Sequence, residues 1–297
     1  MPALFTHYEF GQRVLNKLNK NAQDDIKTNI EYYNMFNQGF DNLYYHFKWT
    51  YYKNLGIKAH KENVNVFFEH LITYIKENNL ENDSKITNMV YGFINHYILD
   101  TLIHPFVNYQ VQNLKISHTK IEFMLDSKIK NNNKGKIYKV LIPKLKFNKN
   151  LTTLISYLFE NVHKEKNIGK VFKKSHNNSY YLYRYFITDN YGIKSLFYKL
   201  VDFILPFKKF KFSENTFHIR KFDERILNNK KEIWNQPNDK KEQYNYSYEE
   251  LYNIALKVCI KLNNDAYKVI HNKMDLNVLI NKISFIDLKN TQQLLQK

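Results

Sequence analysis

Between Tyr91 and Glu122 the chain reads YGFINHYILDTLIHPF and then SHTKIE, and in it His96, Asp100 and His104 recur at every fourth position. His118 and Glu122 repeat that spacing. Four residues of α-helix advance about 40° around the axis, so each set forms a seam along one helix face. Around the first seam stand Phe93, Ile94, Tyr97, Ile98, Leu99, Leu102 and Ile103, which makes the helix apolar nearly all round and predicts burial. Imidazoles and carboxylates taken from water cost several kcal/mol unless they are hydrogen-bonded, ion-paired or metal-bound. A polar network joining two buried helices would account for the first seam alone. The second aligned pair turns the reading toward metal ligation.

The single Cys259 rules out an intrachain disulfide and a thiolate cage, so a metal here must be held by nitrogen and oxygen. A zinc site takes three or four such ligands, and His60, His96, Asp100, His104, His118 and Glu122, with His7 and Asp41 in reserve, exceed what one ion needs. Two or three ions is the economical reading. Paired metals suit phosphate-ester hydrolysis, because they bind phosphate oxygens and lower the pKa of water.

These residues need long helices to hold them. With 43% hydrophobic and 16% aromatic residues, and only 7 Gly and 5 Pro in 297, the composition predicts a mostly α protein with a sizeable core. A single all-helical domain over residues 1–297 is expected, with the metal-site half in 1–130 and the bundle completed by 131–297. The basic, asparagine-rich stretch 128–149 is the best candidate boundary, and a short hairpin is expected in Ile137 to Ile142.

In chain order, His7 sits where helix and loop are equally open. Ala22 to Phe36 has helical spacing and should end at Gly39, a natural left-handed stop. Asp41 follows at an expected helix start, where capping the next turn is its ordinary role. His60 reads as a lone loop histidine before the helical run Val64 to Ile75. Ser84 is a candidate cap for the seam helix, which Pro105 should end just after His104. Ser117 is a candidate cap for the His118 helix. Leu151 to Phe159 and Gly192 to Leu205 also look helical; the latter precedes FKKFKF and reads as a core helix with a solvated basic end, with a membrane-interface position as the alternative. Ser247 and Glu250 have capping-box spacing ahead of the apolar run from Leu251 to Leu262.

The formal charge of +17 predicts attraction to an anion, whether nucleic acid, an acidic membrane surface or a phosphorylated small molecule. There is no window of about 20 apolar residues, no basic and apolar secretory leader, no phosphate-cradling glycine loop and no nucleophile elbow. A cytoplasmic location is expected.

Taken together, THYEFG with His7, GFD with Asp41, the lone His60, FINHYILDTLIHP and SHTKIE resemble the bacterial zinc-dependent phospholipases C, in the branch that includes intracellular members. That family is similar in fold to the single-strand-specific zinc nucleases, and the resemblance covers Met1 to about Leu125. It implies an all-α bundle in which Asp41, His60, His96 and Asp100 surround one zinc and His104, His118 and Glu122 hold a second. Asp100 would also bridge toward a third with His7, and Asp41 would serve in addition as a general base. Two departures stand out. The secreted relatives complete the third site with a processed N-terminal residue, whereas this sequence starts Met1-Pro2 shortly before His7, and the Asp100-to-His104 spacing is tighter. The implied activity is phosphodiester hydrolysis on a phospholipid or similar ester, possibilities beside it being a single-strand nuclease or a non-enzymatic, metal-stabilised protein that binds an anionic partner.

Overall fold

The structure, a computed structural model, describes residues 4–132, 145–187, 193–205, 212–215, 222–237 and 239–291. Helices α1 (Leu4–Leu15), α2 (Lys20–Thr28) and α3 (Ile30–Phe36) lead into a 3-10 turn at Gly39–Tyr45. There follow α4 (Trp49–Lys61), α5 (Val64–Glu77), α6 (Ser84–Leu114) and α7 (His118–Asn132). The later part holds α8 (Lys149–His163), α9 (Ile168–Leu182), α10 (Ile193–Ile204), α11 (Tyr248–Ile270) and α12 (Leu276–Ser284). The all-α expectation holds. Its one exception among the described residues is a hairpin, β1 (Trp234–Gln236) with β2 (Asp239–Tyr244), paired antiparallel from Trp234 opposite Tyr244.

Helix α6 is the axis of the assembly. It packs on α11 and α3 most extensively, and also meets α1, α2, α5, α7 and the hairpin. Because neighbours surround it, its sequence is apolar without one preferred face, as the pattern around the seam predicted. One apolar cluster runs from Phe10 through α6 to Leu288, drawing on residues before and after the stretch 128–149. Most of that stretch, including the expected hairpin at 137–142, lies outside the described residues.

Several local expectations are corrected. Pro105 does not stop the seam helix, which continues nine residues further to Leu114. Proline inside a helix costs about 3 kcal/mol, having no N–H to give Thr101's carbonyl. That cost is offset by the burial of Phe106, Val107 and Gln110 beyond it, with Phe106 set edge-on to Trp234 at 5.4 Å. Asp83, not Ser84, caps α6, its Oδ1 accepting the Lys85 N–H at 3.1 Å. The helix expected over 22–36 breaks at Asn29, whose backbone leaves the helical region (φ −140°, ψ 57°).

The other end of the chain is closer to expectation. Ser247 and Glu250 form the capping box of α11, and Leu251, Ala255, Val258, Cys259 and Leu262 are buried along it. α10 forms where expected but buries none of its residues, so the core-helix reading of that segment is wrong. Period and composition show that a segment is amphipathic; they do not show what its apolar face meets.

Candidate metal centre

His7 comes from the second turn of α1, a helix whose start is held by a residue far away in sequence. The Asp126 carboxylate accepts the Phe5 N–H at 3.1 Å, the Thr6 N–H at 2.9 Å and the Thr6 hydroxyl at 2.8 Å. These are the donors that a helix start leaves unsatisfied. Asp126 lies one helical step beyond Glu122 on α7, so the seam that carries His118 and Glu122 also clamps the helix that carries His7. Its signal was present in the sequence as the third residue of the i+4 series His118, Glu122 and Asp126, and the sequence reading missed it.

Asp41 sits in the 3-10 turn, 3% exposed, and caps no helix: its Oδ2 is buried without a hydrogen-bond partner. The turn starts with Gly39 at φ +52°, a left-handed conformation that glycine adopts without strain. His60 is not in a loop but in the last turn of α4, four residues after Gly56. The apolar face of α4, with Leu55 and Ala59 buried, orients it inward.

The rings of His60 and His96 are set in a specific way. His60 Nδ1 lies 2.6 Å from the Gly56 carbonyl and His96 Nδ1 lies 3.2 Å from the Asn37 carbonyl. A carbonyl oxygen can only accept, so each Nδ1 carries a proton, and each Nε2 presents a lone pair when its ring is neutral. Those two Nε2 atoms are 2.7 Å apart. Two lone pairs at that distance repel unless a proton or a cation lies between them. The carbonyl behind His96 is itself fixed: Asn95 donates to the Asn37 side chain at 3.0 Å and to Tyr33 Oη at 2.7 Å, and Asn263 on α11 donates to Asn95 at 2.8 Å.

Asp100 occupies the middle of the constellation. Its Oδ1 is 3.2 Å from both His7 Nε2 and His104 Nε2, while its Oδ2 is 3.4 Å from His96 Nε2 and 3.9 Å from His60 Nε2. Asp41 Oδ1 is 3.3 Å from His60 Nε2. Beyond His104, the His118 ring stacks on it at 5.2 Å, and His118 Nε2 meets Glu122 Oε1 at 2.8 Å. All eight sequence-predicted residues therefore come together in three groups, the first two sharing His96: His7, His96 and Asp100; Asp41, His60 and His96; His104, His118 and Glu122. Since α6 runs on past Pro105, His104 is anchored in mid-helix and not at the helix end expected from the sequence.

Metal fits these donors. Four ligands at about 2.1 Å around a tetrahedral zinc stand about 3.4 Å from one another, and most of the separations above bracket that figure. The donors are nitrogen and oxygen only; Cys259 is buried on α11 and belongs to none of the groups. The titration of these groups follows burial and their charged neighbours. Burial carries His96 down to about 4, whereas at His60 burial is overridden by the hydrogen-bonded carboxylate of Asp41 and the pKa rises. At His104 burial also works against charge, yet the Asp100 carboxylate beside it holds the imidazole up at about 9. Burial alone would raise both aspartates, but the histidines around them hold Asp41 below, and Asp100 well below, the ordinary carboxyl range.

The groups open into a cavity of about 1460 Å³, lined by seven of the eight residues, His7 standing behind the wall. Its other walls are mostly aromatic and aliphatic, among them Phe67, Phe93, Phe186 and Phe197, with Lys53 and Lys61 also lining it. Lys53 and Lys61 on α4, and the apolar lining drawn from several other elements, had no signal in the sequence, since no motif marks them.

The central helix of a helical bundle and its neighbours here present histidines and carboxylates to one cavity, in groups that could hold metal ions. The model of the zinc-dependent phospholipase C family matches residues 6–165, and the chain belongs to that family. No curated protein and no solved structure matches the chain.

Proposed function

We propose that this protein is a zinc-dependent phosphodiester hydrolase of phospholipase C type. The observation that carries the reading is the His60–His96 pair, whose Nδ1 atoms are tied to main-chain carbonyls and whose Nε2 atoms turn to one another at 2.7 Å among the carboxylates of Asp41 and Asp100. Asp41, His60, His96 and Asp100 would hold one zinc and His104, His118 and Glu122 a second, with His7 and Asp100 offering donors toward a third. When bound, zinc ions lower the pKa of water and draw charge from phosphate oxygens.

The chain's own residues supply the rest. Asp41, with a buried and unpartnered Oδ2 facing the site, is placed to accept the proton of an attacking water. Overall, a bond forms between phosphorus and the water oxygen, the bond to the departing alcohol oxygen breaks, and the proton ends on that alcohol. The three carboxylates Asp41, Asp100 and Glu122 leave two divalent ions one positive charge in excess, enough to receive a phosphodiester anion. Lys53 and Lys61 add to that attraction. The apolar walls favour a phospholipid over a nucleic acid, because they match acyl chains and offer few hydrogen-bond partners to bases.

Purified protein loaded with zinc should hydrolyse a chromogenic phosphodiester and short-chain phosphatidylcholine, and a chelator should stop both. Asp41→Asn should lower kcat by about a hundredfold or more, with metal content measured alongside to separate base from ligand. Cleavage of single-stranded DNA or RNA in place of the lipid would move the substrate to nucleic acid. A zinc-replete sample that turns over none of these substrates would refute the reading.

A further inference from the structure

Helix α10 presents apolar side chains that none of the described residues cover. Ile193, Leu196, Leu200, Phe203 and Ile204 are all more than half exposed, Phe203 reaching 84%. At 100° per residue its apolar positions occupy an arc of about 160°, with Lys194, Tyr198, Lys199 and Asp202 on the remainder. One edge of the arc, Phe197 and Val201, lines the metal-site cavity. The outer edge, formed by Leu196, Leu200 and Phe203, does not line it.

The helix is held in this position by specific bonds. Tyr198 Oη donates to the Phe186 carbonyl at 3.1 Å, and Asp202 accepts the N–H groups of Phe212 at 2.7 Å and Ser213 at 2.9 Å. Around the same mouth, Ile57 and Phe186 both line the cavity and remain exposed. A monomer in water rarely carries so continuous an apolar patch without a use for it.

Charge distinguishes the occupants. Lys53 and Lys61 line the cavity and Lys199 lies on the helix, in a chain of net charge +17. A second copy would bring the same positive charge to the same face. An anionic lipid surface complements it, accepting the apolar edge among acyl chains and the lysines among headgroups.

We infer that α10 docks the mouth of the metal-site cavity onto an anionic lipid bilayer. This rests on the phospholipase C-like reading for what then enters the cavity, but the docking itself needs neither metal nor turnover.

The test is co-sedimentation of the full chain, metal-free and zinc-loaded, with vesicles of phosphatidylcholine alone and of phosphatidylcholine with phosphatidylglycerol in equal parts. Binding to the anionic vesicles should be about tenfold tighter than to the neutral ones, weaken with salt, and be the same with and without zinc. The combined variant Leu196→Ser, Leu200→Ser, Phe203→Ser should lose about tenfold or more of that binding. None of the three side chains belongs to the core, so the variant's melting curve should match that of the parent. Hydrolysis of a soluble phosphodiester by the zinc-loaded variant should also be unchanged. Absence of vesicle binding, binding that survives the triple substitution, or a protein dimer that the substitution dissolves would each overturn the inference. Vesicle binding without turnover of the soluble ester would sink the hydrolase reading and leave the docking intact.

Discussion

Gly39 approaches His96 so closely that a β-carbon on it would stand 2.1 Å from His96 Cδ2. The same residue holds φ at +52°. Gly39→Ala therefore meets two obstacles, a left-handed backbone and a collision with a ligand ring, which together cost about 2–4 kcal/mol. The expected result is a lower melting temperature and a displaced His96, read as weaker zinc binding in a chelator competition. A variant with parental zinc affinity would show that the turn does not position the ring.

The Nε2 atoms of His60 and His96, 2.7 Å apart, need a proton or a cation between them, and zinc would take the place of that proton. Zinc binds only the folded arrangement, so at a thousandfold excess over Kd it should add about 4 kcal/mol and raise Tm by roughly 10 °C. Differential scanning calorimetry with and without chelator measures this. His96→Ala should abolish most of the zinc-dependent shift.

Zinc binding should also be coupled to pH through His104. In the metal-free protein its imidazole is held at about 9 by Asp100 against the opposing effect of burial. Ligation requires the neutral ring, so at neutral pH binding displaces a proton. Apparent affinity should rise with pH by about tenfold per unit for that proton and level off above about 9. Calorimetric titrations in buffers of different ionisation enthalpy count the proton. A flat affinity between neutral pH and about 9 would contradict the coupling.

Asp126 sets a different pH dependence, that of folding. Burial pushes its carboxyl from 3.8 up to about 7, against three hydrogen bonds that favour the charged form. Between those values the folded state keeps a proton that the unfolded state has released. Stability from this group is therefore full below about 4 and declines as pH rises to about 7, by up to the order of 4 kcal/mol. Asp126→Asn does not titrate, so its thermal stability should vary less over that window. It also changes the clamp on α1, so its zinc affinity should fall even where its stability matches the parent.

The repeats of the site were legible in the sequence because helical geometry converts spacing into direction. His96, Asp100 and His104 at four-residue intervals had to share a face whatever the fold, and so did His118 and Glu122. Asp41 and His60 were harder, since an aspartate after a glycine stop and an isolated histidine each have common local roles. Their placement depended on contacts between elements, the 3-10 turn against α6 and α4. The errors have the same origin. Pro105 was expected to break the helix because the local cost of proline is visible in the sequence, whereas the packing of Phe106 against Trp234 that offsets it spans more than a hundred residues.

By itself, then, the sequence determined the helical class, the two ligand seams and the exclusion of thiolate chemistry, since periodicity and residue type are properties of the chain alone. Tertiary structure decided which ring nitrogens face one another, because that depends on the carbonyls of Gly56 and Asn37 as they lie in the folded protein. It also decided that, among the described residues, the apolar face of α10 remains open beside the cavity. Amphipathic spacing specifies that a helix has an apolar side, but only the arrangement of its neighbours determines whether protein covers it.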